Sequence, residues 1–190
     1  HELSSKNSEL LYEDDKVLVR TIPLQHRVYT NGFLFQEKEG ERRLNMDAIA
    51  QYPEIEVCDY QNIKNGKDIT LENGKTIANA ELTFEPHRPQ SYAYCSDTVY
   101  LEDLATEIRG TRVIYHESTF LKINEELAAK TMHATAYQAG LVAKNAQSEA
   151  LILGHYSSRY PDVNMFKQEA QEVFKNVFLA EDGKKFVFEN

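Results

Sequence analysis

The sequence is poor in the features that mark several common protein classes. No apolar run approaches the roughly 20 residues that a membrane-spanning helix needs, so a spanning protein is not expected. His1 to Ser8 is polar and has no apolar stretch of the kind a secretion signal carries. That segment reads as an expression remnant or as the interior of a longer chain. There are two cysteines, Cys58 and Cys95, without the spacing of a disulfide framework or a zinc ribbon. Free thiols fit a reducing, cytosolic compartment. The eight glycines are scattered, and no Walker-type phosphate loop is present, which speaks against phosphoryl transfer from ATP. His-Glu-x-x-His is absent as well. Positive charge is in deficit: 21 Lys and Arg against 30 Asp and Glu leave a net charge of −9 and a pI near 5.2. That balance argues against a simple basic nucleic-acid binder, although a local cluster can steer RNA over an otherwise acidic surface.

What is present suits one globular domain, or a large piece of one: 190 residues, 42% apolar and 27% charged. No internal repeat or low-complexity stretch occurs. Val17 to Ile22 is β-branched and apolar, and Val28 to Phe35 is rich in β formers around Gly32, so both predict strands. Glu39 to Arg43 is a charged link, and Met46 to Tyr52 predicts a short helix. Within residues 62–82 two Asn-Gly pairs, Asn65-Gly66 and Asn73-Gly74, mark turns, and the second lies between β-like runs as a hairpin turn does. From residue 91 the pattern alternates. Strands are expected at Ser91 to Cys95, Arg112 to Tyr115, Ala150 to Leu153, Val177 to Leu179 and Phe186 to Phe188. Helices are expected at Leu101 to Ile108, Asn124 to Thr131 and Val163 to Phe174. A further helix follows the capping box Thr135-x-x-Gln138 and aligns Ala136, Ala139, Val142, Ala143 and Ala146 on one face. Such alternation predicts a layered α/β domain.

Ligand-capable residues repeatedly follow the apolar runs: His26, Asp97, His116-Glu117 and His155. Groups just past the strand ends of an open α/β sheet converge on one edge. Histidine with a carboxylate is the usual ligand set of a hydrolytic zinc, and a carboxylate bridging two metals suits in-line displacement at phosphorus. Each residue also has a plainer reading. A strand-end histidine such as His26 can be structural. Asp97 and Glu117 can cap the helices that follow, and His133 can mark a helix boundary. His87, in Pro86-His87-Arg88-Pro89, reads as a turn residue. Tyr156 and Tyr160 can stack on bases or simply pack.

Taken in order, five strings settle between these readings by resemblance: Pro23-Leu-Gln-His26-Arg-Val, Tyr92-Ala-Tyr-Cys-Ser-Asp97-Thr, His116-Glu-Ser-Thr-Phe, Met132-His-Ala-Thr-Ala and Leu151-Ile-Leu-Gly-His-Tyr-Ser-Ser-Arg-Tyr160. Together with the closing Leu179-Ala-Glu-Asp-Gly they resemble the ribonuclease Z branch of the metallo-β-lactamase superfamily over most of residues 15 to 182. The resemblance implies an α/β chain that forms the C-terminal half of a four-layer αββα sandwich, residues 1–190 being the C-terminal portion of that single domain. It implies a zinc-dependent endoribonuclease that removes the 3′ trailer from tRNA precursors, cytoplasmic and homodimeric. It assigns His26 as a ligand of one zinc, Asp97 as the bridge between two, His155 as a ligand of the second, and His133 as the group acting at the scissile phosphate. Glu117 would orient His133, and Arg159 would hold phosphate. Another phosphodiesterase of the same fold and a non-catalytic binding module are the alternatives.

The sequence departs from the family's pattern in three places. The superfamily's His-x-His-x-Asp-His motif is absent and is expected upstream of His1. The usual His-Ser-Thr is His133-Ala134-Thr135. Residues 39–85, an inserted hairpin and helix region, occupy the place of the family's tRNA-binding arm without its Gly/Pro-rich tip. With only His26, Asp97 and His155 as ligands, these 190 residues alone are expected to bind metal weakly and to be inactive.

Overall fold

A computed structural model describes residues 7–188 of the chain; most of the polar opening segment therefore lies outside the described residues. Two compact units form. Among the described residues the larger comprises 7–37 and 90–188, and the smaller 38–89.

In chain order the larger unit begins with β1 (Leu10–Glu13), β2 (Val17–Pro23) and β3 (Asn31–Glu37). The smaller unit contains β4 (Arg43–Leu44), α1 (Met46–Ile49), α2 (Tyr60–Lys64), β5 (Ile69–Thr70), β6 (Thr76–Ile77), α3 (Asn79–Leu82) and β7 (Thr83–Phe84). The larger unit then resumes with β8 (Ser91–Cys95), α4 (Leu104–Glu107), β9 (Val113–Glu117), α5 (Glu125–Thr131), α6 (Ala136–Asn145), β10 (Ala150–Gly154), α7 (Asn164–Gln171) and β11 (Val177–Leu179).

The larger unit is built on one seven-stranded sheet, ordered β1-β2-β3-β8-β9-β10-β11. Strands β1, β2, β3 and β8 pair antiparallel, and β8, β9, β10 and β11 pair parallel. Successive side chains of a strand point to opposite faces, and this sheet uses the alternation to separate two chemistries. Ala93, Cys95, Ile114, Leu151 and Leu153 pack with Val142, Ala143, Phe166 and Ala170 of α6 and α7 in the main core. The small residues of α6 let that helix lie close. Tyr92, Val113, Tyr115, Ile152 and Phe178 form a separate cluster with Phe186 and Phe188. Tyr92, Val113, Ile152, Phe186 and Phe188 line part of a groove of about 530 Å³. Helices on one face and an aromatic opposite face are one α layer and one β layer.

Several expected elements change length. The strand predicted from Val28 begins at Asn31, because Val28 and Tyr29 lie in the loop and are exposed. The helices expected from Met46 and Leu101 shrink to Met46–Ile49 and Leu104–Glu107. Among the described residues, Phe186 to Phe188 pairs with no strand; Phe186 and Phe188 lie edge-on against Phe178 at 5.9 and 5.7 Å. The capping box at Thr135 forms as the spacing predicts, with Gln138 closing it. Asn73-Gly74 joins the antiparallel pair β5 and β6, whereas Asn65-Gly66 ends α2. In the smaller unit Ile49, Ile55, Ile63, Ile77 and Leu82 make a small core of their own. Among the described residues no helix is long and apolar enough to cross a membrane.

Gly32 lies where β3 meets β8. A Cβ there would run into the carbonyl oxygen of Tyr94, with Leu24 Cδ1 and Ile22 Cβ at 3.2 and 3.3 Å behind it. The obstacle is backbone and cannot step aside as a side chain can. Gly32→Ala is therefore expected to destabilise the chain by about 1–3 kcal/mol, the usual cost of overpacking. Urea denaturation checks this, and an unchanged midpoint would contradict it.

Candidate functional site

Register brings the ligand-capable residues together. In the parallel pairs Cys95 lies opposite His116, and Glu117 opposite Gly154, so β8, β9 and β10 end level with one another. Asp97, Glu117 and His155 fall at or just past those ends. Strand β2 runs antiparallel to β3, and β3 to β8, so the loop after Pro23 reaches the same edge and delivers His26. His133 arrives from the other direction, between α5 and α6. Phe120 and Thr135 form a parallel bridge beneath it.

Three residues here have left-handed backbone: Asp97 (φ 56°), Met132 (φ 61°) and His155 (φ 60°). Aspartate and histidine tolerate this region better than most residues, yet it still costs each about 1 kcal/mol. At Asp97 and His155 the turn reverses the chain directly after a strand. At Met132 it ends α5 and starts the segment bearing His133.

Glu117 is fully buried. Its Oε1 accepts from the backbone N–H of Thr98 at 3.0 Å and from His133 Nδ1 at 2.7 Å. Its Oε2 accepts from the backbone N–H and the hydroxyl of Thr119 at 3.0 and 2.7 Å. Burial alone would raise the carboxyl's pKa. The hydrogen bonds from His133 and Thr119, with the charge of His133, outweigh burial and hold it below the ordinary value. The same bond raises the pKa of His133 above the ordinary histidine value, against the opposing effect of burial.

An ionised carboxylate can only accept, so His133 carries a proton on Nδ1 and turns Nε2 away from Glu117. His26 behaves alike: its Nδ1 lies 2.9 Å from the carbonyl oxygen of Met132, which also only accepts. The His26 and His133 rings are 4.7 Å apart, and the His133 and His155 rings 5.2 Å. His155 Nε2 faces Asp97 Oδ1 at 3.2 Å, and both side chains are 41% exposed. His26, Asp97, Glu117, His133 and His155 thus form one cluster.

Glu117, His133 and His155 offer ligand-type atoms within 4.8 Å of one another, a grouping able to hold a metal ion. The four donors already on Glu117 favour a different division of labour. Its oxygens are spent inside the protein, whereas Asp97 is half-exposed and faces His155 Nε2. Asp97 caps no helix, since α4 begins only at Leu104. Arg159 is exposed and sits one ring away, its guanidinium 5.8 Å over Phe120, whose ring is 6.3 Å from His133. His116 is not part of the cluster. It is fully buried, burial lowers its pKa, and its Nδ1 lies 2.6 Å from the carbonyl oxygen of Glu117. His87 is exposed in the smaller unit. Tyr156 and Tyr160 pack on Phe166 at 4.9 and 5.1 Å rather than standing free. Burial pushes the Cys95 thiol up to about 12, which makes it a poor nucleophile.

Two contributors were not read from the sequence, Thr119 and the Met132 carbonyl. The spacing His-Glu-x-Thr holds the first in plain sight, but a threonine two residues past a glutamate carries no signal by itself. A backbone carbonyl leaves no trace in sequence.

The Glu117–His133 pair predicts a pH dependence. The stability owed to the raised His133 is fully present below pH 6.5, its ordinary value, and is lost as pH rises through the raised one. The stability owed to the lowered Glu117 is fully present above pH 4.5 and is lost as pH falls through the lowered value. The advantage of wild type over Glu117→Gln is thus expected to be greatest between pH 4.5 and 6.5. Denaturation at several pH values measures it, and an NMR titration should show His133 titrating lower in the variant. An unchanged His133 titration would contradict the pairing.

No protein-family model matches the chain. Curated relatives do. The ribonuclease Z of Phocaeicola vulgatus is 42% identical over 183 residues, 96% of this chain and 59% of that protein. The ribonuclease Z of Bacteroides thetaiotaomicron is 37% identical over 190 residues, 100% of this chain and 60% of that protein. The chain thus spans about three-fifths of the length of the curated relatives it matches. Among solved structures, the metallo-β-lactamase-fold protein YhfI from Bacillus subtilis superposes with a TM-score of 0.60 over 95% of this chain and 52% of its own, at 15% identity. The short form of human tRNase Z superposes with a TM-score of 0.55 over 93% of this chain and 45% of its own, at 20% identity. On sequence and fold together, the chain is a homologue of the ribonuclease Z proteins over about three-fifths of their length and carries part of the metallo-β-lactamase fold.

Proposed function

We propose that the protein to which these residues belong is a zinc-dependent endoribonuclease that removes the 3′ trailer from tRNA precursors. The observation that carries this reading is a coincidence of identity and geometry. The relatives at 37–42% identity are named ribonuclease Z, and the residues matching that family's motifs meet at one sheet edge. By the same resemblance the protein works in the cytoplasm as a homodimer. Residues 1–190 supply the C-terminal part of one metallo-β-lactamase-fold domain, and the aromatic sheet face is the surface its other half would cover.

Zinc suits the donors present, which are open imidazole nitrogens beside a half-exposed carboxylate. His26 and His155 would each hold one ion and Asp97 would bridge the two. When bound, the metal supplies Lewis acidity and an activated water. The chain's own residues do the rest. Glu117 holds His133 in one orientation and favours its protonated form, so that Nε2 carries a transferable proton. Cleavage after the discriminator nucleotide forms a bond from water oxygen to phosphorus, with one water proton released to solvent, and breaks the bond from phosphorus to O3′. The departing O3′ takes the Nε2 proton of His133. The products are a tRNA 3′-hydroxyl and a trailer with a 5′-phosphate. Arg159, whose planar fork matches phosphate, holds the substrate backbone beside the centre.

In the longer protein, His133→Ala is expected to lower kcat on a tRNA precursor by about 10²–10⁴-fold, the range of general acid–base catalysis, with zinc content unchanged. Turnover of a small chromogenic phosphodiester but not of the tRNA precursor would instead favour a different phosphodiesterase of this fold. Absence of both activities in the zinc-loaded protein would favour a binding module. Three ligands cannot complete two zinc sites, so the 190-residue chain alone should bind zinc weakly and cleave nothing. Tight binding of two zinc ions with tRNA cleavage by this chain would contradict that ligand assignment.

A further inference from the structure

Thr119 lies two residues past the end of β9 and is 8% exposed. Its hydroxyl oxygen is 2.7 Å from Glu117 Oε2, 2.7 Å from His155 Nδ1 and 3.2 Å from His133 Nδ1. A hydroxyl has one proton to give, and an ionised carboxylate has none. The proton between Thr119 and Glu117 Oε2 must therefore be the threonine's own. Were it turned elsewhere, two lone-pair oxygens would face each other at 2.7 Å in a buried place.

A hydroxyl already donating to Glu117 can only accept from its other neighbours. His155 Nδ1, at 2.7 Å, must then carry a proton. His133 gives its Nδ1 proton to Glu117 Oε1 at the shorter distance of 2.7 Å, and its approach to Thr119 at 3.2 Å is secondary. On the far side of the His155 ring, Nε2 faces Asp97 Oδ1 at 3.2 Å. That carboxylate draws a proton to Nε2, which would favour the opposite tautomer. Thr119 and Asp97 thus compete over where the neutral imidazole keeps its hydrogen, and Thr119 has the shorter contact.

We propose that Thr119 is a positioning residue: it relays the Glu117 carboxylate to His155 and holds that histidine in its Nδ1–H tautomer, with the Nε2 lone pair turned toward Asp97. One buried carboxylate then orients two imidazoles, His133 directly and His155 through a hydroxyl. The consequence for metal binding rests on the proposed role of His155 as a zinc ligand. The tautomer itself does not depend on that role.

Long-range ¹⁵N–¹H correlation spectra of the metal-free 190-residue chain test this at a pH well above the ordinary histidine value of about 6.5. Wild type and Thr119→Ser should show the His155 proton on Nδ1. Thr119→Val keeps the shape, removes the hydroxyl and should move that proton to Nε2, while His133 keeps its own on Nδ1. A wild-type His155 protonated on Nε2 overturns the assignment, and so does a valine variant with an unchanged His155 pattern. The wild-type spectrum decides even if the valine variant does not fold. Zinc titration followed through the same signals gives a second readout. Thr119→Val should weaken binding by about 10–100-fold, the usual effect of losing a partner that orients a ligand, and Thr119→Ser should restore it. Zinc that leaves His155 untouched despite an Nδ1–H tautomer would count against His155 as a ligand and not against Thr119. Zinc bound at a His155 whose metal-free tautomer is Nε2–H would count against Thr119 alone.

Discussion

Four hydrogen bonds converge on the carboxylate of Glu117, and the geometry of the centre depends on them. A fully buried carboxylate without partners would cost several kcal/mol or take up a proton. Here donors from three places meet that cost: the turn after β8 through Thr98, the turn after β9 through Thr119, and the segment before α6 through His133. The carboxylate ties the turn after β8 to the two segments that the Phe120–Thr135 bridge already joins. The loops in turn fix where Asp97 and His133 lie. Removing the charge would loosen three connections at once, so this residue is structural and functional in the same act.

The scaffold beneath that carboxylate is a matter of register. Parallel strands that end level produce a flat rim, and the residue after each strand must turn sharply to leave it. Asp97 and His155 make that turn in left-handed backbone. The strain places a side chain at the rim rather than along the strand direction. The glycine just before His155 contributes too: a Cβ at Gly154 would collide with the Tyr115 ring. Tyr115 in turn stacks on Tyr94 at 4.8 Å on the aromatic face. The rim and the aromatic face are thus tied through a residue without a side chain.

Much of this was legible in the sequence, for definite reasons. The short apolar runs Ser91–Cys95 and Arg112–Tyr115 announced strands, and both form. The recurrence of His, Asp and Glu after such runs announced a common edge, and the structure brings His26, Asp97, Glu117, His133 and His155 together there. The parts that were not legible depend on distance in the chain. His26 is held by a backbone carbonyl 106 residues away, and His155 by a hydroxyl 36 residues away. Neither contact follows from spacing or residue type. Element ends shifted where packing overrode local preference: Val28 and Tyr29 have strand propensity but lie in the turn that carries His26 to the rim. Phe186 and Phe188 satisfy their apolar surface against Phe178 and need no partner strand.

The two carboxylates of the centre show how environment divides labour between like groups. Glu117 is sealed, saturated by donors and kept ionised, so its charge is spent within the protein. Asp97 lies a few residues past a neighbouring strand end, 41% exposed, and takes a hydrogen bond from the Ser96 hydroxyl at 3.2 Å. Its Oδ1 also faces His155 Nε2 at 3.2 Å. An acidic surface of net charge −9 gives a polyanion little reason to approach. A centre with one spent and one available carboxylate changes that balance, because a divalent cation held there reverses the local sign. Under the proposed function, charge at the rim, rather than over the whole chain, is what a substrate phosphate would meet. The fold secures this by burying the negative charge that orients the histidines and exposing the one that can meet a cation.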